Sequence, residues 1–124
     1  RCAFWNCQNL ERIDVSAENE NYRSVAGNLY EKKGEKLVQY AIGKKEESIS
    51  LADGVKIIGE NAFSCCVYIK SITIFDKMTC VEVGAFSGCT NLTEVNYKGT
   101  EEQWNNIAIG MYNENLTNAK RNYI

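Results

Sequence analysis

One pattern recurs three times in this chain, at residues 3–15, 62–74 and 85–97. Each copy opens on Ala-Phe, then carries a Cys four residues after the Ala, an aliphatic residue at seven and apolar residues at ten and twelve. The last two copies are separated by 85 − 62 = 23 residues, and the segments leading into them align without a gap, Val55 with Met78 and Ile58 with Val81. A period of this length marks a solenoid, in which each unit buries its apolar side only against the next.

The apolar pairs predict four successive rungs, Ile13/Val15, Ile49/Leu51, Ile72/Ile74 and Val95/Tyr97. Each alternates apolar and polar residues, the period of a half-buried strand. Neighbouring coils must place these strands side by side, which predicts one parallel sheet on one side of the solenoid. The Ala-Phe-x-x-Cys segment between strands is too short for a regular helix and reads as a helical turn with Ala, Phe and Cys inward. The first interval, 49 − 13 = 36 residues, exceeds the period by 13. Two alternating runs around Lys33-Gly34 fill it and predict a β-hairpin insertion over residues 27–42. This divides one domain, 1–124, into a first partial repeat (1–26), the insertion (27–42), regular repeats (43–97) and a C-terminal cap (98–124). In the cap, Thr100 and Gln103 have the spacing of a helix capping box, Ile107 and Ile109 suit a last partial strand, and residues 113–119 suit another short turn. The chain opens inside a repeat. It is therefore expected to be the tail of a longer polypeptide, with its amino-terminal end exposed, continued by further repeats or stacked on another copy.

Composition narrows the function. The chain has no His, the commonest general base and metal ligand, and a net charge of −2, where a nucleic-acid binder carries a basic field. No apolar run is long enough to span a bilayer. There is no phosphate-binding glycine loop of either common type. The acidic pairs Glu46-Glu47 and Glu101-Glu102 read as solvated faces or helix starts. Of six cysteines, Cys7, Cys66 and Cys89 share one repeat position. Equivalent side chains on adjacent coils stand about 4.8 Å apart and parallel, whereas a disulfide needs Cβ atoms about 3.8 Å apart and inclined together. A ladder of buried thiols is expected, with no metal site, no cofactor and no catalytic nucleophile. Cys2 and Cys80 fall outside the ladder, and for them reactive and paired states both stay open. What remains is a surface. Outward residues on successive strands align into two columns, Arg12, Ser48, Ser71 and Glu94 in one, Asp14, Ser50, Thr73 and Asn96 in the other. Tyr22, Tyr30 and Tyr40, near the hairpin, are candidates for a partner or glycan contact and, more simply, for core or cross-strand packing.

These repeats resemble the BspA-like leucine-rich repeats, whose unit runs I-x-I-P, a variable lead, Gly, then A-F-x-x-C-x-x-L. Residues 62–74 and 85–97 carry that pattern, Gly27-Asn28-Leu29-Tyr30 is similar to the family's G-V-L-Y hairpin, and the segment around Trp104 resembles its closing motif. The Pro after the strand is missing, with Ala52 and Phe75 in its place, so a looser corner is expected there. The resemblance implies a right-handed leucine-rich repeat solenoid of short parallel strands and helical turns, with a hairpin insertion and a C-terminal cap. It further implies a secreted or cell-surface protein without enzymatic activity that binds a protein partner, such as a host or matrix protein. Carbohydrate recognition and a ligand-free spacer are the alternatives.

Overall fold

The structure, a computed structural model, describes residues 9–124. Along the chain run β1 (Tyr22–Val25), β2 (Asn28–Glu31), β3 (Lys36–Gln39), a single 3-10 turn (Ile42–Lys44), β4 (Ser48–Ser50), β5 (Ile57–Ile58), β6 (Ser71–Phe75), β7 (Cys80–Val81), β8 (Glu94–Lys98), α1 (Glu101–Asn105), β9 (Ala108–Ile109), α2 (Glu114–Thr117) and β10 (Lys120–Tyr123). The main sheet has the order β10-β8-β6-β4 and is parallel throughout. Its register follows the repeat: Ile49 lies beside Ile72 and Ile72 beside Val95. Alternation then does its work. Ile72, Ile74, Val95 and Tyr97 are fully buried, while Ser71, Thr73, Glu94 and Asn96 on the same strands face outward.

Two expectations are corrected. The solenoid has a sheet on two sides, since the lead segments form a second one, β1-β2-β3-β5-β7-β9. Its parallel part repeats the period, with Ile57 beside Cys80 and Ile58 beside Val81. Three matching bonds tie it together: Gly59 N–H to Leu37, Glu82 to Ile58 and Gly110 to Val81 carbonyls, at 2.8, 2.9 and 2.8 Å. The second correction concerns Ile13 and Val15, which form no strand. Ile13 is buried and its N–H donates to the Gly27 carbonyl. The fourth strand of the main sheet is instead β10, at the other end. The expectations for Cys2, Cys7 and the amino-terminal end concern residues outside those described.

The hairpin of β2 and β3 forms as expected, antiparallel, and β1 adds a third strand to it. The β1–β2 connection turns on Ala26 (φ 52°) and Gly27 (φ 79°), the paired positive angles of a tight hairpin whose twist matches its strands. Through β3, which runs parallel to β5, this meander continues the second sheet.

Between the sheets lies one core, and its spine is a column of rings. Tyr40, Phe63 and Phe86 are 23 residues apart (63 − 40 and 86 − 63) and stack with centroids 4.9 Å apart at both steps. The backbone repeats this, Tyr40 N–H donating to Ala62 and Phe63 N–H to Ala85. The coil stack thus reaches back to Tyr40, inside the segment read as the insertion. Ala62, Phe63, Cys66 and their counterparts Ala85, Phe86 and Cys89 are all buried.

At the other end Thr100 caps α1. Its hydroxyl accepts the Gln103 N–H and the Gln103 side chain accepts the Thr100 N–H. Trp104 from α1 is buried edge-on against Tyr97, 5.3 Å between centroids. Residues 98–124 thereby give β9 to the second sheet and β10 to the main one.

Candidate interaction surface

On the main sheet, register converts the repeat into two straight columns. Ser48, Ser71, Glu94 and Lys120 stand side by side in the first, and Ser50, Thr73, Asn96 and Asn122 in the second. Six of the eight expected surface residues fall in them. Arg12 and Asp14 do not. They lie on the strandless segment, where the Arg12 guanidinium contacts the Asp14 carboxylate at 2.7 Å, and that pair holds the guanidinium pKa above its ordinary value. Being exposed, the pair stabilises little. In their place come Lys120 and Asn122, which lie 26 residues after Glu94 and Asn96. The break in spacing hides them, as does Arg121 at the inward position between, whose guanidinium lies over the Trp104 ring, 4.7 Å from its centroid. With Lys, Arg and Asn in succession before Tyr123, the stretch carries no apolar alternation that would have shown the strand.

The columns are fixed from within. Ser71 Oγ donates to Ser48 Oγ at 2.9 Å, and Asn122 Nδ2 to Asn96 Oδ1 at 2.9 Å. Along one flank Lys70 Nζ lies 2.8 Å from Glu47 Oε1. Beyond the columns Phe75 and Lys98 are register neighbours, the ammonium 5.4 Å from the ring centroid. The result is an ordered face of hydroxyls and amides with single charges of both signs.

The four cysteines among the described residues take no part in it. Cys65, Cys66, Cys80 and Cys89 are free. Cys66 and Cys89 continue the thiol ladder inside the core, and Cys89 Sγ donates to the Phe63 carbonyl at 3.0 Å. Burial pushes the Cys66 thiol up to about 11 and raises that of Cys89 as well. Thiols held protonated are poor nucleophiles. The ladder stops at Gly43 because the backbone of Asn9 and Leu10 crosses there, and a Cβ on Gly43 would lie 2.6 Å from it. Among the described residues no group of three or more Cys, Asp or Glu is placed to hold a metal ion, and no helix is long and apolar enough to cross a membrane. Tyr30 and Tyr40 are buried in the core and only Tyr22 of the hairpin tyrosines is exposed.

Repeat register, ring ladder and two-sided sheet together describe a leucine-rich repeat solenoid. The family model with the description "BspA type Leucine rich repeat region (6 copies)" matches residues 43–121, more than half of the chain. The chain belongs to this family. Among solved structures it is similar to the pneumococcal vaccine antigen PcpA, with 26% identity and a TM-score of 0.65 over 68% of this chain and 21% of that one. A leucine-rich repeat protein from Eubacterium ventriosum shares 24% identity, with a TM-score of 0.59 over 77% of this chain and 32% of that one. A leucine rich cell surface protein from Faecalibacterium prausnitzii shares 19%, with a TM-score of 0.52 over 86% and 46%. The chain thus spans less than half the length of each. No curated protein matches it.

Proposed function

We propose that this BspA-type solenoid is a non-enzymatic interaction module of a secreted or cell-surface protein, and that it binds a protein partner, of the host-matrix kind, through the outward face of its main sheet. The observation that carries this reading is the pair of in-register columns, Ser48/Ser71/Glu94/Lys120 and Ser50/Thr73/Asn96/Asn122, aligned by the strand register and linked by the Ser71–Ser48 and Asn122–Asn96 hydrogen bonds. Preordered polar groups lose little entropy when a partner arrives. The family membership and the cell-surface neighbour support the location. Carbohydrate recognition through the hairpin aromatics loses support, because Tyr30 and Tyr40 are occupied in the core.

The test is surface plasmon resonance against a panel of purified extracellular-matrix proteins. Saturable binding to at least one member is expected, weakened about tenfold or more by Thr73→Arg with Asn96→Arg, as for a truncated or blocked hot spot. Binding to none, or binding indifferent to those changes, contradicts the proposal and leaves the spacer reading.

A further inference from the structure

A second face of the molecule carries features that the main-sheet columns do not use. On the outward side of the second sheet, Cys80 and Ala108 floor an open groove flanked by Glu60, Glu82, Val83 and Gly110. At its end the chain turns, and Met111 and Tyr112 stand 68% and 62% exposed, beside Val83 at 40%. The turn that presents them is also held under strain, for Tyr112 has φ +65°, a conformation that a bulky aromatic seldom adopts.

Asn113 imposes that conformation. It is 2% exposed, its Nδ2 donates to the Glu82 and Gly110 carbonyls at 3.0 and 2.9 Å, and its Oδ1 accepts the Phe86 N–H at 2.9 Å. The Met111 carbonyl accepts the Gly84 N–H at 2.8 Å. A buried amide thus clamps the turn to the neighbouring coil with Met and Tyr pointing out, Tyr being a frequent anchor of protein contacts and Met an adaptable one. Carboxylates outnumber ammonium groups around them. Glu60 and Glu82 line the groove and Glu114 follows the turn in sequence, while Lys36 pairs with Glu82 at 3.3 Å and Lys56 farther along with Glu35 at 3.4 Å. Next to the groove, β9 is the last strand of the second sheet among the described residues, and a sheet edge accepts an extended segment.

We propose that this knob and groove form a second interaction surface, which takes an extended segment of a partner protein whose apolar side chains alternate with lysine or arginine. The apolar side chains rest on Met111, Tyr112 and the Cys80–Ala108 floor, and the basic ones meet the carboxylate rim.

Two fluorescently labelled peptides of about ten residues test it by anisotropy with the full chain, one alternating Leu with Lys and the other Leu with Glu, so that each presents an apolar and a charged face as a strand. The Leu/Lys peptide is expected to bind saturably and to weaken as salt rises. Tyr112→Gly is expected to raise the thermal midpoint, since glycine adopts φ +65° freely, and yet to weaken the peptide about fivefold or more, as is Met111→Ser without the gain in stability. Thr73→Arg with Asn96→Arg is expected to leave peptide binding unchanged, which separates this surface from the main-sheet face. Equal binding of the Leu/Glu peptide, or indifference to Tyr112→Gly and Met111→Ser, overturns the proposal. So does self-association in sedimentation that Tyr112→Gly abolishes, for the occupant is then a second copy.

Discussion

Tyr40 sits where the later coils have Phe63 and Phe86, and Glu46 sits where they have Ile69 and Leu92 (69 − 23 = 46). The two exceptions answer one another. The Tyr40 hydroxyl, at the margin of the core, donates to Oε1 of the exposed Glu46 at 2.5 Å, and burial together with that carboxylate raises the phenol pKa far above its usual value. A buried hydroxyl without its partner costs about 1–3 kcal/mol, whereas removing both partners is nearly neutral. Glu46→Leu is therefore expected to destabilise by that amount in urea unfolding, and Tyr40→Phe added to Glu46→Leu to recover most of it. A second repeat position behaves similarly: Cys65 and Gly88 both have positive φ, 63° and 77°. Gly88→Ala is expected to cost about 1–3 kcal/mol, because its Cβ would lie 3.2 Å from the Cys65 backbone in a strained conformation. Cys65→Gly is expected to be neutral or stabilising by up to about 1 kcal/mol, because glycine takes that angle without penalty. Urea midpoints at constant slope check both.

Among the elements, those that obey the repeat were legible and those that break it were not. β4, β6 and β8 follow from apolar pairs 23 residues apart, and α1 from the Thr100/Gln103 spacing. The second sheet escaped because β5, β7 and β9 are two residues long and their alternation is too brief to read. β1 escaped because Ala26-Gly27 lacks the Asn-Gly or Asp-Gly signature of a tight hairpin, and β10 because Arg121 stands at its inward position. Ile13 and Val15 match the strand pattern, yet a strand also needs a neighbour in register, which a local pattern does not supply. Of the candidate surface, Ser48 to Asn96 followed from alternation alone, while Lys120 and Asn122 required the fold. The strain at Tyr112 had no local signature, since Asn113 imposes it from the core. At this scale Thr100→Ala is expected to cost about 1 kcal/mol by leaving the first turn of α1 uncapped. Loss of the edge contact between Trp104 and Tyr97 would be visible in tryptophan fluorescence.

For the whole molecule, stacking makes one core out of coils that have none alone, and that core contains thiols and phenols in their neutral forms. The Cys66 thiol, ordinarily at 9.0, is raised by burial to about 11. Because the folded pKa exceeds the unfolded one, the native state binds this proton more tightly. The stabilisation is complete below pH 9, falls as pH rises, and is lost beyond about pH 11. It amounts to on the order of 2–3 kcal/mol, and Cys89 and Tyr40 act in the same direction. Thermal midpoints are thus expected to be level from neutral pH to about pH 9 and then to decline, less steeply in Cys66→Ala.

Stacking itself is open to direct observation by NMR couplings transmitted through hydrogen bonds. The Thr79, Thr93 and Lys120 amides should couple to the carbonyl carbons of Lys56, Lys70 and Thr93, giving separations of 79 − 56 = 23, 93 − 70 = 23 and 120 − 93 = 27 residues. Couplings from these amides to sites at other separations, or to none, would mean that the rungs do not lie coil upon coil.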